Sequence, residues 1–409
     1  MGAVPMSTTS GAPDRKAMRE AFDSLRAEDL WRSERIKWRL FGADVLPAWV
    51  ADMDYPVVPE IQQSLVELIG RSDLGYHHLP LSPRLREALV SRMAERFDWQ
   101  IEPRRVVPLV NVVQGLDATV LLNSRPGEGV VVQTPIYPPF LKAVQKSGRK
   151  LIDSPLAAGP VRYEIDFDRL RADVSEDTRV FLLCNPHNPT GRVFEAAELR
   201  AIAELAIERD LIVVSDEIHS DLVFPGHEHI PFATLGPEVA ERMITLTSAS
   251  KAFNLAGLPC AFAIFGSDRT QQPFRNLPPH VLGHGGILDD AATYVAWTKG
   301  QPWLDEVLTY LAENRETLLA RLGSDLPGVR ALSPEGTYLA WLDCGELGLE
   351  TPFEFFLEHA RVALSSGRDF GPPGEKFVRL NFATSATILG QVLDRMAEAL
   401  ARKGPGRAT

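Results

Sequence analysis

Met243-Ile244-Thr245-Leu246-Thr247-Ser248-Ala249-Ser250-Lys251-Ala252-Phe253-Asn254 sets a lysine among small hydroxylated residues, directly after an apolar, β-branched run. The run reads as a buried strand. An ordinary solvated lysine does not belong at such a strand end. Lysine is the side chain that forms a Schiff base with a carbonyl group, and a sheltered site lowers its pKa toward useful nucleophilicity. Alone, the stretch also reads as a structural loop lysine, so the rest of the chain decides between the two.

Working outward, the same texture recurs. Short apolar runs at Val106–Val113, Gly129–Gln133, Arg179–Cys184, Leu211–Ser215 and Cys260–Phe265 join Met243–Thr247 as predicted strands. Helical patterns at Gly115–Leu122, Pro139–Lys146 and Ala196–Arg209 lie between them. Strands alternating with helices predict an α/β protein with a mainly parallel sheet covered on both faces, whose sites gather at the carboxyl ends of the strands. Upstream, helices are predicted for Ala17–Ala27, Ile61–Ile69 and a segment from Leu81 or Ser82 to Phe97. Downstream come long helices at Gly286–Thr298 and Trp303–Arg321. A smaller α+β unit follows, with strands Tyr338–Asp343, Val362–Ser365 and Phe377–Phe382 and helices Pro352–Arg361 and Ala386–Arg402.

This divides the chain into a loose tail over 1–16, an N-terminal segment over 17–46 that packs with the small domain, and a large domain over 47–285. Connecting helices over 286–325, a small domain over 326–402 and a short tail over 403–409 complete it. The first segment is rich in Ser, Thr, Gly, Ala and Pro and lacks the apolar stretch of a signal peptide.

Composition narrows the function. The 409 residues are 45% hydrophobic and 24% charged, ordinary for a globular protein. A formal net charge of −11 with no basic stripe argues against nucleic-acid binding. No run of about 18 uncharged apolar residues predicts a membrane span. The three cysteines, Cys184, Cys260 and Cys344, are odd in number and far apart. They fit small core positions in a reducing cytoplasm and offer no metal-ligand spacing.

Chemistry accumulates at the predicted strand ends. Asp216 follows Leu211–Ser215, thirty-five residues before Lys251. It could cap a helix, or pair with the protonated pyridine nitrogen of pyridoxal phosphate and keep that ring an electron sink. In Cys184-Asn185-Pro186-His187-Asn188-Pro189-Thr190-Gly191, the Asn188 amide can donate to the same cofactor's phenolic oxygen. Tyr137, after Thr134-Pro135-Ile136, could stack on a flat ring. Gln114-Gly115 is expected to open a helix whose free N–H groups favour a phosphate, with Ser248 and Ser250 adding hydroxyls. Arg379 alternates with Val378 and Leu380, and its guanidinium fork is a natural partner for an α-carboxylate.

Taken together, Asn188-Pro189-Thr190-Gly191, Ser215-Asp216-Glu217, Ser248-Ala249-Ser250-Lys251 and Arg379 resemble the fold-type I pyridoxal-phosphate enzymes, the aspartate aminotransferase superfamily. Trp49-Val50-Ala51-Asp52-Met53-Asp54, Gly75-Tyr76, Ser215-Asp216-Glu217-Ile218-His219-Ser220-Asp221 and Lys251-Ala252-Phe253-Asn254 look like its cystathionine β-lyase, or C–S lyase, branch of MalY/PatB type. The resemblance covers about residues 20–400. It implies a seven-stranded, mainly parallel sheet and a cytoplasmic homodimer with shared sites, Tyr76 reaching the neighbouring subunit's phosphate. It also implies His219 at the cofactor, and Arg379, Ala51 (through its backbone), Tyr55 and His78 near the substrate. Many superfamily members carry a phosphate-binding arginine after the lysine where this chain has Leu258-Pro259-Cys260, and the MalY-type enzymes also lack it. His77-His78 departs from that branch, which more often has Ser and an arginine or aromatic there.

The implied reaction is β-elimination from an L-cysteine thioether, L-cystathionine or another S-substituted cysteine, giving thiol, pyruvate and ammonia. Lys251 is the expected general base and Asp216 stabilises the cofactor ring. The same residues can run transamination or a decarboxylating oxidative deamination, as in specialised metabolism. A non-catalytic regulator is the remaining reading, disfavoured by the joint presence of Lys251, Asp216 and Arg379.

Overall fold

Seven strands form the main sheet: β1 (Val106–Leu109), β2 (Gly129–Val132), β3 (Lys150–Asp153), β4 (Thr178–Cys184), β5 (Ile212–Asp216), β6 (Met243–Thr247) and β7 (Ala261–Phe265). The structure is a computed structural model describing residues 14–76, 80–278 and 281–403. His77 and His78, singled out above, lie outside the described residues. The strand order is β1-β7-β6-β5-β4-β2-β3. Only β7 runs antiparallel to its neighbours; the other pairings are parallel. Every residue of β2, β5, β6 and β7 is buried, because both sheet faces are covered. Val131, Phe181, Val213 and Met243 enter one core, while Val130, Leu182, Val214 and Ile244 enter the other. The two-residue side-chain period thus turns continuous apolar runs into two cores.

Two strand expectations need correction. β1 stops at Leu109 rather than Val113, because the Asn111 side chain accepts the Gln114 N–H at 2.9 Å and starts α4 (Val112–Asn123). β3 is not evident from the sequence: it is an edge strand with a charged residue at each end, the usual guard against edge pairing.

Helices pack around this sheet. α2 (Pro59–Gly70), α3 (Pro83–Phe97), α5 (Pro138–Lys146) and α6 (Ala196–Glu208) fall within a few residues of their expected bounds. Ser82 caps α3, accepting the Leu85 N–H at 3.3 Å. α1 (Arg15–Asp23) begins inside the expected tail, its N-terminus capped by the Asp14 carboxylate.

After α7 (Ile287–Lys299), the 25-residue α8 (Gln301–Asp325) leads into an antiparallel sheet. Its strands are β8 (Arg330–Ala331), β9 (Leu339–Asp343), β10 (Ser365–Ser366) and β11 (Phe377–Asn381), in the order β8-β9-β11-β10. α9 (Ala386–Lys403) closes the unit. The expected strand Val362–Ser365 is split: Val362–Ala363 pairs in parallel with Leu46–Pro47, and the next pairing belongs to β10. The N-terminal segment is also tied to α8, since Tyr310 Oη donates to Asp23 at 2.6 Å. Among the described residues no helix is long and apolar enough to cross a membrane, and no group of three or more His, Cys, Asp or Glu is placed to hold a metal.

Candidate active site

The carboxyl ends of β1, β2, β4, β5 and β6 lie on one edge of the main sheet, and a cavity of about 200 Å3 opens there. Tyr137, Asn188, Asp216, His219, Ser250 and Lys251 all line it. Residues from four separate strand ends therefore converge as the sequence predicts.

The turn after β6 aims the lysine. Ser248 Oγ donates to the Cys260 carbonyl at 2.6 Å and accepts the Ser250 N–H at 3.1 Å, drawing the turn against β7. Lys251 Nζ donates to the Ala51 carbonyl at 2.7 Å. That carbonyl is fixed from several directions. Tyr338 Oη donates to it at 3.1 Å, while Asn381 Nδ2 donates to the flanking Val50 and Asp52 carbonyls at 2.6 and 2.7 Å. Burial lowers the Lys251 pKa to about 8; Asp52 and Asp216 oppose the shift and Arg379 adds to it.

Asp216 ends β5 and is 4% exposed. Its carboxylate accepts one N–H, from Ile218 at 3.1 Å, within a turn rather than a helix cap. Burial raises its pKa to about 7, the response of a carboxylate lacking a close cation. Arg379 is the converse case. It is 4% exposed, its Nη1 donates to Asn188 Oδ1 at 2.9 Å, and its Nη2 donates to the Trp49 carbonyl at 2.8 Å and Ser365 Oγ at 3.0 Å. Its Nε has no partner, and its hydrogen-bond partners among the described residues are an amide, a carbonyl and a hydroxyl rather than a carboxylate. Burial lowers its pKa to about 10.

Smaller groups complete the wall. Asn188 gives its oxygen to Arg379, so its NH2 is the group left for a ligand. His219 is 2% exposed, held neutral by burial with a pKa lowered to about 3, and its Nδ1 has no partner. Tyr137 presents a half-buried ring, and its N–H donates to the Asn188 carbonyl at 3.0 Å. At the start of α4, Val112 and Val113 line the cavity with the N–H groups a helix leaves unpaired in its first turn.

Several expected site residues lie elsewhere. Gln114 turns back to accept the Val110 N–H at 2.9 Å. Gly115 serves packing: a Cβ there would approach Leu246 to 2.8 Å and Leu109 to 2.9 Å. Neither faces the cavity, because α4 starts three residues before Gly115. Tyr55 Oη donates to the Thr384 carbonyl at 2.9 Å and its ring packs on Phe22 and Tyr310, so it joins the N-terminal segment to the core; it is absent from this wall but lines the adjoining cavity. The Ala51 carbonyl is taken by Lys251, leaving only its N–H for a carboxylate. Tyr76 is fully exposed and outside this wall. Conversely, Cys184 and Cys260 line the cavity besides being buried, and Asn111, Ser365 and Phe370 support the site without having been singled out. A capping asparagine just before a helical pattern was the available signal for Asn111.

The unmet groups test whether a cofactor fits. A buried carboxylate without a cation, a neutral histidine with an orphaned nitrogen, a pair of helix N–H groups and a desolvated lysine face one space. Pyridoxal phosphate meets each of them, with pyridinium, phenolic oxygen, phosphate and aldehyde. Lys251 is the only Lys or Arg lining this cavity among the described residues, so the other donors this wall offers are neutral. Fold and cavity together define a fold-type I pyridoxal-phosphate-dependent enzyme.

The sequence comparisons narrow this class. The chain belongs to the aminotransferase class I and II family, whose model matches residues 49–396. Several of its relatives at 30% identity or more bear carbon–sulfur lyase names. Cystathionine β-lyase PatB of Bacillus subtilis is 37% identical over 385 residues, covering 92% of this chain and 99% of PatB. The cystathionine β-lyase of Corynebacterium glutamicum is 32% identical, covering 91% and 98%. The crystal structure of the PLP-bound C–S lyase from Staphylococcus hominis superposes with a TM-score of 0.87 at 30% identity, covering 93% and 98%.

Proposed function

We propose that the protein cleaves S-substituted L-cysteines, L-cystathionine among them, by β-elimination: the thioether and one water give a thiol, pyruvate and ammonia. The observation that carries this reading is Arg379, a buried guanidinium without a carboxylate of its own, which stands behind the cavity wall and bonds Asn188, a lining residue shared with Lys251 and Asp216. The names of the relatives favour elimination over the other fates of the same chemistry.

Bound pyridoxal phosphate supplies an electron sink for the pair left at Cα when its proton is removed. Lys251 Nζ, its pKa lowered by burial to about 8, would take that proton and return one to the departing sulfur. The Asp216 carboxylate holds the proton on the pyridine nitrogen. Asn188 Nδ2 and His219 would serve the phenolic oxygen, and Tyr137 would pack on the ring. Ser250 and the first N–H groups of α4 take the phosphate; Ser248 acts through the turn, its hydroxyl being committed to Cys260. Arg379 orients the α-carboxylate so that the Cα proton faces Lys251.

The reading includes a homodimer, with the exposed Tyr76 completing the phosphate site of a second copy, and a cytoplasmic setting. Residues 47–285 form the cofactor domain and 326–402 the small one. The test is to incubate the loaded protein with L-cystathionine, and separately with an S-substituted cysteine, without any oxo acid. Pyruvate, ammonia and thiol over many turnovers support the reading. Conversion of the cofactor to its amine form in a single turnover would make it an aminotransferase, and release of carbon dioxide a decarboxylating deaminase.

A further inference from the structure

Past Lys251 the cofactor cavity adjoins a second one of about 750 Å3, sharing Ala51, Lys251 and Ala256 with it. Its walls are mostly apolar, with Arg35, Asp52, Asp54 and Asn254 among them. Leu25, Leu30 and Ile36 of the N-terminal segment face Val57, Ile61 and Leu65 across it. Lys251 lies on the rim the two cavities share, so a group that reacts at Lys251 has the second cavity within reach.

The charges near the second cavity cancel in pairs. Asp54 accepts from Lys37 Nζ at 2.9 Å and Trp38 Nε1 at 2.7 Å, with Arg35 at 3.8 Å. Arg35 also donates to the Met53 carbonyl at 2.8 Å and lies 4.0 Å from Asp52. Lys37 further donates to the Asp52 carbonyl at 3.0 Å. Among the described residues lining this cavity, the only cations are Arg35, committed in this way, and Lys251, committed to the reaction.

We infer that this cavity receives the sulfur substituent and selects uncharged apolar ones, so that S-alkyl and S-aryl conjugates of L-cysteine are better substrates than L-cystathionine. The distal half of cystathionine carries an ammonium and a carboxylate. Against the buried part of this wall, at Leu30 and Ile61, both would leave water with no free cation for the carboxylate, and a buried charge without a partner is costly. A benzyl or branched alkyl group gains from the same transfer. The inference rests on the lyase reading above and specifies its substrate class.

Two measurements on the loaded protein test it. The first compares kcat/KM for pyruvate formation from S-benzyl-L-cysteine, S-methyl-L-cysteine and L-cystathionine. S-benzyl-L-cysteine is expected to exceed cystathionine by about tenfold or more, in the range that pocket contacts discriminate. Ile36→Arg, at a position 61% exposed and so free of core strain, supplies a cation and is expected to move that ratio about fivefold toward cystathionine. Cystathionine as the equal or better substrate of the unaltered protein would overturn the inference.

The second measurement is calorimetric binding of 3-(benzylsulfanyl)propanoate and 3-(carboxymethylsulfanyl)propanoate, which lack the amino group that reacts at Lys251. About tenfold tighter binding of the benzyl compound supports the cavity assignment even if none of the three amino acids yields pyruvate, the outcome that would sink the lyase reading itself. Equal affinities would show the cavity closed to the substituent, as when a second copy of the chain fills it, and would overturn the inference.

Discussion

Lys251 Nζ and the Ala51 carbonyl, joined at 2.7 Å, bring together residues two hundred positions apart. The bond holds the ammonium over the cavity between the turn after β6 and a loop gripped by Asn381 and Tyr338. Asn254 ties the same two segments a second time: its side chain accepts the Met53 N–H at 3.2 Å and donates to the Tyr55 carbonyl at 2.7 Å. The fold of the catalytic turn therefore does not depend on the lysine's own bond. Lys251→Ala is expected to fold, to lack the near-visible absorbance of bound pyridoxal phosphate, and to lose at least about a thousandfold in elimination rate. Absorption spectra and thermal melts of the purified variant check this; survival of the visible band would refute the assignment of Lys251.

Arg379 sets stability against function. An isolated buried cation costs desolvation free energy, and its three hydrogen bonds return only part of it. Arg379→Leu is expected to leave the melting temperature of the substrate-free protein within a few degrees or raise it. The same change removes the α-carboxylate anchor and is expected to lower kcat/KM about a hundredfold or more. Melts and steady-state kinetics on one preparation decide it. An unaltered kcat/KM would remove Arg379 from substrate binding.

Asp216 gives a pH dependence with a definite sign. Its folded pKa, about 7, stands above the unfolded carboxylate value of 3.8, so its contribution to stability is greatest in acid and is lost as pH rises toward 7. Buried His187 and His219, both lowered to about 3, act oppositely below their ordinary 6.5, so the wild-type profile alone mixes the three groups. The difference between Asp216→Asn and the parent isolates the carboxylate. In cofactor-free protein the variant should gain on the parent between pH 4 and 7, by a few degrees in melting temperature. With the cofactor bound, its pyridinium pairs with Asp216 and this gain should shrink or reverse, while elimination by the variant falls about a hundredfold or more. A constant difference across pH would contradict the burial of the charge.

The residues that carry the chemistry were legible because each sits at the end of a short β-branched run, and a parallel sheet brings such ends together wherever they fall in the chain. Lys251, Asp216, Asn188 and Tyr137 are of this kind. What escaped depends on tertiary contact rather than pattern. A helix start shifted by three residues by the Asn111 cap put Val112 and Val113, rather than Gln114 and Gly115, at the cavity. Gly115 has the sequence look of a phosphate-loop glycine, yet the close approach of α4 to Leu246 is what requires it. Tyr55, beside the Ala51 motif, turns its hydroxyl away to Thr384. No local pattern distinguishes a substrate tyrosine from one that locks an N-terminal segment.

Phe370 shows the same point at the other end of the site and supports the last prediction. The Arg379 guanidinium carbon lies 4.9 Å from the centroid of its ring, and Trp341, paired in register with Arg379, packs on that ring at 5.2 Å. The Phe370 carbonyl accepts the Ile136 N–H at 2.9 Å, which fixes the ring relative to the β2 end that bears Tyr137. On the proposed reading Phe370 is a positioning residue: it supplies an aromatic face to Arg379, a cation without a carboxylate partner among the described residues. Loss of a desolvated cation–π contact is worth roughly 0.5–2 kcal/mol, so Phe370→Leu should raise KM about 3- to 30-fold while leaving kcat within about threefold. Phe370→Tyr keeps the ring face and should restore most of the loss. A purely structural role would instead lower the melting temperature and the active fraction, with the KM of the remaining enzyme unchanged, so kinetics on titrated active sites separate the two. The split should be the same for S-benzyl- and S-methyl-L-cysteine, because Phe370 acts on the carboxylate end they share, whereas changes at Ile36 act on the end where they differ.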